Sequence, residues 1–324
     1  MRVAVTGSIA TDHLMTFPGR YSEVILPDQL ANISISVLVD DLVVRRGGVG
    51  ANIAFGMGVL GLQPLLVGAV GSDFAEYRAW LDRHGVDTSK VHVSEVAQTA
   101  RFVCTTDADQ NQIASFYPGA MSEARDIELS TLGDLDLVIV GPNDPEAMLR
   151  YTDDCRTAAI PFVADPSQQL ASMGGDVIRD LIDGAAYLFT NEYEAALTES
   201  KTGWTADEIL DRVGTRVTTL GAKGAKVERK GEPDIVITVA GVDIIAEPTG
   251  VGDAFRAGYV VGLGWGLGPE RCAQVGATLA AYVIETVGTQ EYTVGRAHFL
   301  ARLADAYGAD AAAEIEPHLQ TARP

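Results

Sequence analysis

The sequence predicts an α/β fold: a mostly parallel sheet covered by helices on both faces, with a small β-sheet lid set into it. Three observations carry this. Between residues 135 and 220, short apolar runs alternate with helical stretches, the rhythm of successive βαβ units. Two separated segments, about 12–40 and 91–117, fall outside that rhythm and read as a small β element. No repeat or low-complexity linker divides the 324 residues, so 1–324 reads as one domain with the lid inserted.

Residues 3–9 form the first strand; Thr6, Gly7, Ser8 and Asp12 make the run too short and too polar for a secretion signal. Residues 50–60 follow Gly47-Gly48 as a helix rich in small side chains. Residues 64–70 form a buried strand, and 73–84 a helix opened by a Ser/Asp cap. Strands follow at 91–93, 99–106 and 112–117, the last two joined by a turn at 107–111. The alternating region gives strands at 135–140, 161–164, 186–190 and 217–220, with helices at 144–158, 176–183, 192–198 and 206–213. A hairpin occupies 224–238. Helices at 252–263, 269–285, 294–307 and 310–316 follow, Pro317 ending the last.

The 44 Asp and Glu outweigh the 24 Lys and Arg, a net charge of −20. Such a field repels nucleic-acid phosphates and anionic membrane surfaces alike. A phosphate compound must therefore be held locally, by backbone N–H groups, a metal and a few cations. Hydrophobic residues make up 47% of the chain, enough for a sizeable core without disulfides. Cys104, Cys155 and Cys272 are odd in number and widely spaced, pointing to free thiols in a reducing, cytoplasmic compartment. No stretch reaches the ~18 apolar residues of a membrane span. The five histidines show no metal-binding spacing.

Chemistry concentrates in four motifs. The run 247–255, Glu-Pro-Thr-Gly-Val-Gly-Asp-Ala-Phe, stands just before a helical stretch. Gly250 and Gly252, flanking Val251, allow a sharp turn that points backbone amides at an anion. Asp253, at the same helix start, would stay ionised under the helix dipole. It would take a proton from an attacking hydroxyl while the amides hold a transferring phosphoryl group. A capped helix after a glycine turn is the plain alternative. In the run 45–52, Arg-Arg-Gly-Gly-Val-Gly-Ala-Asn, Gly48 admits close approach of a ligand. Asn52, one turn into the helix, would bind two adjacent hydroxyls as donor and acceptor; a tight strand-to-helix turn would use the same residues.

Asn191 and Glu194 lie three apart beyond a strand's C-terminal end, where open α/β sheets bind ligands. They would reach Mg²⁺ directly or through water, or form an N-cap with Glu at N3. Thr219, Gly221, Lys223 and Gly224 end the next strand as a phosphate and ribose loop with one cation, or as a glycine turn. Two familiar patterns are set aside. GxxxxGK[ST] is absent, and the GxGxxG at 56–61 lies inside a helix that precedes a strand, the reverse of dinucleotide-binding order.

In this order and spacing the four motifs resemble those of the PfkB/ribokinase family of carbohydrate kinases, over essentially the whole chain. The resemblance implies a doubly wound, ribokinase-like sheet with a β lid over the acceptor, and ATP with Mg²⁺ as phosphoryl donor. It makes Asp253 the base and residues 250–252 the anion hole, and gives Asn191, Thr219, Gly221, Lys223 and Gly224 to the nucleotide. The stretches 6–13, 100–121 and 165–169 resemble the actinobacterial-type adenosine kinases. That implies transfer to the 5′-hydroxyl of adenosine, giving AMP and ADP in purine salvage. Asp12, Gly48 and Asn52 would then bind ribose, and Ser8, Ser36, Phe102, Phe116 and Gln168 or Gln169 surround the base. A ribose or ketohexose kinase is the alternative, and a non-catalytic nucleoside-binding module a more distant one. Glu247 departs from the family's usual Asp; it keeps the charge but adds a methylene, which leaves K⁺ activation open. Lid edges and apolar stretches such as 33–39 would suit pairing into a homodimer.

Overall fold

In the computed structural model, which describes residues 1–321, the first half of the chain runs β1 (Val3–Thr6), β2 (Ala10–Thr16), α1 (Tyr21–Val24), β3 (Asp41–Gly47), α2 (Val49–Val59), β4 (Leu65–Val67), β5 (Ala69–Val70), α3 (Ala75–Arg83), β6 (His92–Val93), β7 (Ala100–Thr106) and β8 (Gln112–Tyr117). The second half continues with β9 (Leu137–Val140), α4 (Pro145–Ala158), β10 (Phe162–Ala164), α5 (Gly175–Ile182), β11 (Tyr187–Asn191), α6 (Glu192–Thr202), α7 (Ala206–Leu210), β12 (Thr215–Thr219), β13 (Ala225–Glu228) and β14 (Ile235–Ile237). Four helices follow: α8 (Val251–Gly264), α9 (Pro269–Ile284), α10 (Arg296–Tyr307) and α11 (Ala309–Ile315).

The main sheet has the order β14-β13-β12-β11-β10-β9-β1-β4. Its strands are parallel from β4 through β12, and the hairpin β13–β14 adds an antiparallel edge. β1, β9 and β10 are buried along their whole length because helices cover both faces. One face packs Phe55, Phe189 and Tyr259 beneath α2, α8 and α9; the other packs Tyr151 and Phe162 beneath α4 and α5. The helices approach closely where glycine leaves room. A Cβ on Gly258 would stand 2.7 Å from the Gly276 Cα, and one on Gly56 2.7 Å from the Ala257 Cβ. The GxGxxG run is thus a helix-packing surface.

A second sheet, β3-β2-β7-β8, forms the lid. It draws on four strands within 10–47 and 100–117, not on 12–40 and 91–117. β3 looked like a glycine turn in the sequence, but Leu42-Val43-Val44 extends the strand back to Asp41. Residues 33–39 carry no regular structure, and β6 pairs with β5 in a separate two-stranded sheet. β1 ends at Thr6, short of residue 9. The chain leaves the sheet at Gly7, where a Cβ would meet the Gly50 Cα at 2.7 Å, and resumes as β2 in the lid. The expected strand at 64–70 is broken at Gly68 into β4 and β5. The expected cap at 72–73 is absent. Asp73 instead accepts from the Thr99 N–H at 2.9 Å and Oγ1 at 2.6 Å and pairs with Arg101. α11 ends at Ile315, just before Pro317 as expected, and a 3₁₀ turn over Glu316–Thr321 follows. Among the described residues, the three cysteines are free and buried, and no helix is long and apolar enough to cross a membrane.

Candidate active site

A cleft of about 440 Å³ opens beneath the lid, beyond the C-terminal ends of β1, β9 and β10. Ser8, Asp12, Gly48, Asn52, Phe102, Phe116, Gln168, Gln169 and Asp253 all line it. Ser36 does not: it is exposed on the irregular segment 33–39, which no strand pairing folds toward the cleft.

One wall of the cleft follows from the register of the smaller sheet. Arg45, Asp12, Phe102 and Phe116 are directly opposed on four adjacent strands. Opposed residues share a sheet face, so one row carries an ion pair's cation, a carboxylate and two aromatic rings. Phe116 is 51% exposed, leaving its face open to the cleft. Burial and nearby Glu247 push the Asp12 carboxyl above its ordinary value, against the pull of Arg45. Ser8 ties β1 to α2, its Oγ accepting from the Val49 N–H at 3.0 Å. Gly48 has φ +92°, and a Cβ there would lie 2.5 Å from the Ser8 carbonyl oxygen, so the turn requires glycine. Gln169 is anchored: its Nε2 donates to the Asn143 carbonyl at 2.8 Å and its Oε1 accepts from Ser172 Oγ at 3.2 Å. Gln168 is exposed and leaves its amide available.

Beside this row begins α8. Gly250, in the left-handed region at φ +79°, sets up its first turn, whose leading amides lack intrahelical acceptors. Asp253 Oδ2 accepts from Asn52 Nδ2 at 2.9 Å. Burial lifts the Asp253 carboxyl above its ordinary value, with Arg256 and Asn52 pulling the other way. The helix dipole therefore does not decide its ionisation as the sequence suggested; desolvation is the larger effect. Asn52 Oδ1 accepts from Thr289 Oγ1 and Gln290 Nε2, each at 2.9 Å. That leaves Asn52 one N–H for a hydroxyl, and no oxygen for the two-hydroxyl grip expected of it. Thr249 and Met121 also line the cleft, from within the 247–255 motif and the 100–121 stretch but given no role there, as do Pro142 and Thr289, which no motif signals.

At the C-terminal end of β11, Asn191 and Glu194 form a reciprocal capping box at the start of α6. Asn191 Oδ1 accepts from the Glu194 N–H and Glu194 Oε2 from the Asn191 N–H, both at 2.8 Å. Asn191 is thus held by the backbone and not free as a metal ligand. Arg256 lies 2.6 Å from Asp165 and 3.8 Å from Glu194. Burial pushes Asp165 up to about 7, against the pull of Arg256. Gly224, at φ +102°, has no room for a Cβ, which would fall 1.9 Å from the Ile237 carbonyl oxygen. Lys223 caps this loop but pairs with Glu192 at 3.2 Å, and Thr219 closes β12 beside it.

Among the described residues, no group of three or more His, Cys, Asp or Glu is placed to hold a metal ion. The donor set fits a magnesium ion carried by phosphate oxygens and water, with Glu194 as the carboxylate at that edge. A monovalent cation fits poorly. Glu247 Oε2 already accepts from Arg45 Nη1 at 2.8 Å and from the Gly288 N–H at 2.9 Å, so a guanidinium neutralises it.

The family model for pfkB family carbohydrate kinases matches residues 12–294. A solved nucleoside kinase from Burkholderia thailandensis, in complex with inosine, is similar at TM-score 0.82 and 34% identity, covering 94% of this chain and 98% of that one. The same enzyme has been solved in complex with ADP-inosine, at TM-score 0.80 and 35% identity over 94% of this chain and 96% of that one. A nucleoside kinase from Methanocaldococcus jannaschii is 30% identical over 247 residues, 75% of this chain and 80% of its own length.

Proposed function

We propose a function from one premise: the chain belongs to the pfkB family of carbohydrate kinases. It is an ATP-dependent phosphotransferase with an alcohol acceptor, and we infer that the acceptor is a nucleoside, adenosine, phosphorylated at its 5′-hydroxyl. The observation that carries this is the lid row, which sets Asp12 beside Phe102 and Phe116. A carboxylate accepts from a vicinal diol, and aromatic faces stack a base for about 1–3 kcal/mol. The nucleoside kinases from Burkholderia thailandensis and Methanocaldococcus jannaschii support the same class. Within it, the open amide of Gln168 offers both a donor and an acceptor to the adenine edge, in line with the narrower resemblance to adenosine kinases. Inosine is the second reading, favoured by the ligand of the Burkholderia enzyme. A phosphorylated sugar is disfavoured, because Arg45, Arg46 and Arg101 are paired with Glu247, Glu291 and Asp73.

In this reading Asp12 and the remaining Asn52 N–H hold the ribose hydroxyls. Asp253 accepts the 5′-hydroxyl proton as that oxygen attacks the γ-phosphorus in line. The amides at 250–252 meet the charge on the transferring phosphoryl group. Glu194 would hold a magnesium ion brought in with ATP, which when bound would supply charge neutralisation on the phosphate oxygens. Lid closure over the base excludes water and restrains ATP hydrolysis.

The test is ADP release with Mg·ATP and, separately, adenosine, inosine, ribose, fructose and fructose 6-phosphate, each in K⁺ and in Na⁺ buffer. Adenosine is expected to exceed ribose in kcat/KM by at least about 100-fold, roughly the ~2.7 kcal/mol of one stacked base. Because Arg45 neutralises Glu247, K⁺ and Na⁺ rates should agree within about twofold, since no ion is needed for that charge. Turnover with ribose alone removes the nucleoside reading, and strong K⁺ activation removes the role of Arg45.

We also infer a homodimer through the lid, supported by the exposed side chains of Leu26, Leu30, Ile33, Leu38 and Leu42. Light scattering should give twice the chain mass at micromolar concentration; a monomer mass would oppose this.

A further inference from the structure

Gln290 and Tyr77 do not line the cleft, yet they decide which way a cleft amide points. Asn52 is the side chain that donates to Asp253, and an amide donates only from its nitrogen end. Two neighbours hold the Asn52 oxygen end. Thr289 is the weaker, because its single hydroxyl proton is divided between the Arg46 carbonyl at 3.0 Å and Asn52 Oδ1 at 2.9 Å. Gln290 gives Asn52 Oδ1 an undivided N–H at 2.9 Å and donates its second one to the Tyr77 hydroxyl at 2.6 Å. Tyr77 donates in turn to the carbonyl of Gly47, the last residue of β3, at 2.9 Å. With its own proton committed there, the phenol can only accept from Gln290, so the NH₂ end of Gln290 must face it. All four side chains are buried, and Gln290 Oε1 is left without a partner. A glutamine kept only for packing would be turned to satisfy both ends.

We propose that Gln290 is a positioning residue for phosphoryl transfer, fixing the Asn52 amide so that it donates to Asp253, with Tyr77 relaying that orientation from the lid strand. Without Gln290, Asn52 is free to present its oxygen to Asp253. That arrangement repels the ionised carboxylate and favours the protonated one, which cannot take the acceptor's proton. The proposal rests on the reading of Asp253 as base.

Gln290→Leu is expected to lower kcat about 10- to 100-fold, the scale of one lost buried hydrogen bond, with KM for ATP within about twofold and a smaller rise in acceptor KM, because the turned amide also leaves the ribose. In an Asn52→Ala background the same change should cost less than about twofold more, because the two residues act in series. Gln290→Glu keeps the size but, ionised, offers an N–H neither to Asn52 nor to the Tyr77 hydroxyl. It should reproduce the kcat loss, and it carries the test if the leucine variant does not fold. Fully multiplicative losses in the double variant, an unchanged kcat, or a KM rise alone would overturn the proposal. Asp253→Asn separates the two failures. An active Asp253→Asn removes the base, whereas an inactive one beside an unimpaired Gln290→Leu removes only the role of Gln290.

Discussion

Asp253→Asn is expected to lower kcat by about 10²–10⁴-fold and to leave the acceptor KM within about twofold, the contribution of one positioned general base. The substituted amide still accepts from Asn52 through its own oxygen, so the bond at 2.9 Å survives and the cleft keeps its shape. What disappears is a group able to take the hydroxyl proton. Residual turnover comes from the α8 amides and from substrate alignment. Steady-state rates with Mg·ATP and a saturating nucleoside decide it, and turnover like that of the wild type would exclude Asp253 from the reaction. Because burial raises the carboxyl, wild-type kcat falls as pH drops through that raised value, while the residual rate of the variant does not follow it.

Arg256→Met is expected to destabilise the fold by about 3–5 kcal/mol, the cost of stranding buried charge, for a fall in melting temperature of about 4–7 °C. The guanidinium is 2.6 Å from Asp165 and 3.8 Å from Glu194, and its field reaches Asp253. It is the cation offsetting three carboxyl groups at the sheet edge. The loss depends on pH with a definite sign. Asp165 holds its proton more tightly folded than unfolded, with a value of about 7, so its contribution to stability declines as pH rises from the ordinary carboxylate range toward 7. Removing Arg256 removes the charge that pulls this carboxyl down and extends the decline to higher pH. Urea unfolding should therefore show a larger deficit near pH 8 than near pH 5.5. Equal deficits would mean that Arg256 contributes packing alone.

The main sheet was legible because each parallel strand is apolar throughout and each connection is helical. The lid was less so. Its strand β3 hid in Leu42-Val43-Val44-Arg45-Arg46-Gly47, where the glycines and arginines read as a turn, and its partner β2 followed a first strand that breaks at a glycine contact invisible in one dimension. The cleft residues on the glycine motifs were found together, since Gly48 and Asn52 mark the passage from β3 into α2 and Asp253 stands in the first turn of α8. Thr289 and Gln290 were not: they meet Asn52 across 237 and 238 positions of sequence, from a loop without periodicity, and Tyr77 on α3 reaches it only through Gln290. The Asp253 environment was misjudged for a related reason. A helix start is written in the sequence, but the burial that overrides it is made by residues far along the chain.

The crossing of Gly7 over Gly50 has a consequence for how new specificities arise. Two main chains touch there with no side chain between them, so the segments bearing Ser8 and Asn52 shift together or not at all. Substitution on that floor disturbs the backbone beneath Asp253. Phe116 and Gln168, by contrast, stand on the open wall with solvent behind them. On the proposed reading, exchange of one acceptor base for another would fall to these wall residues and leave the floor beneath Asp253 unchanged.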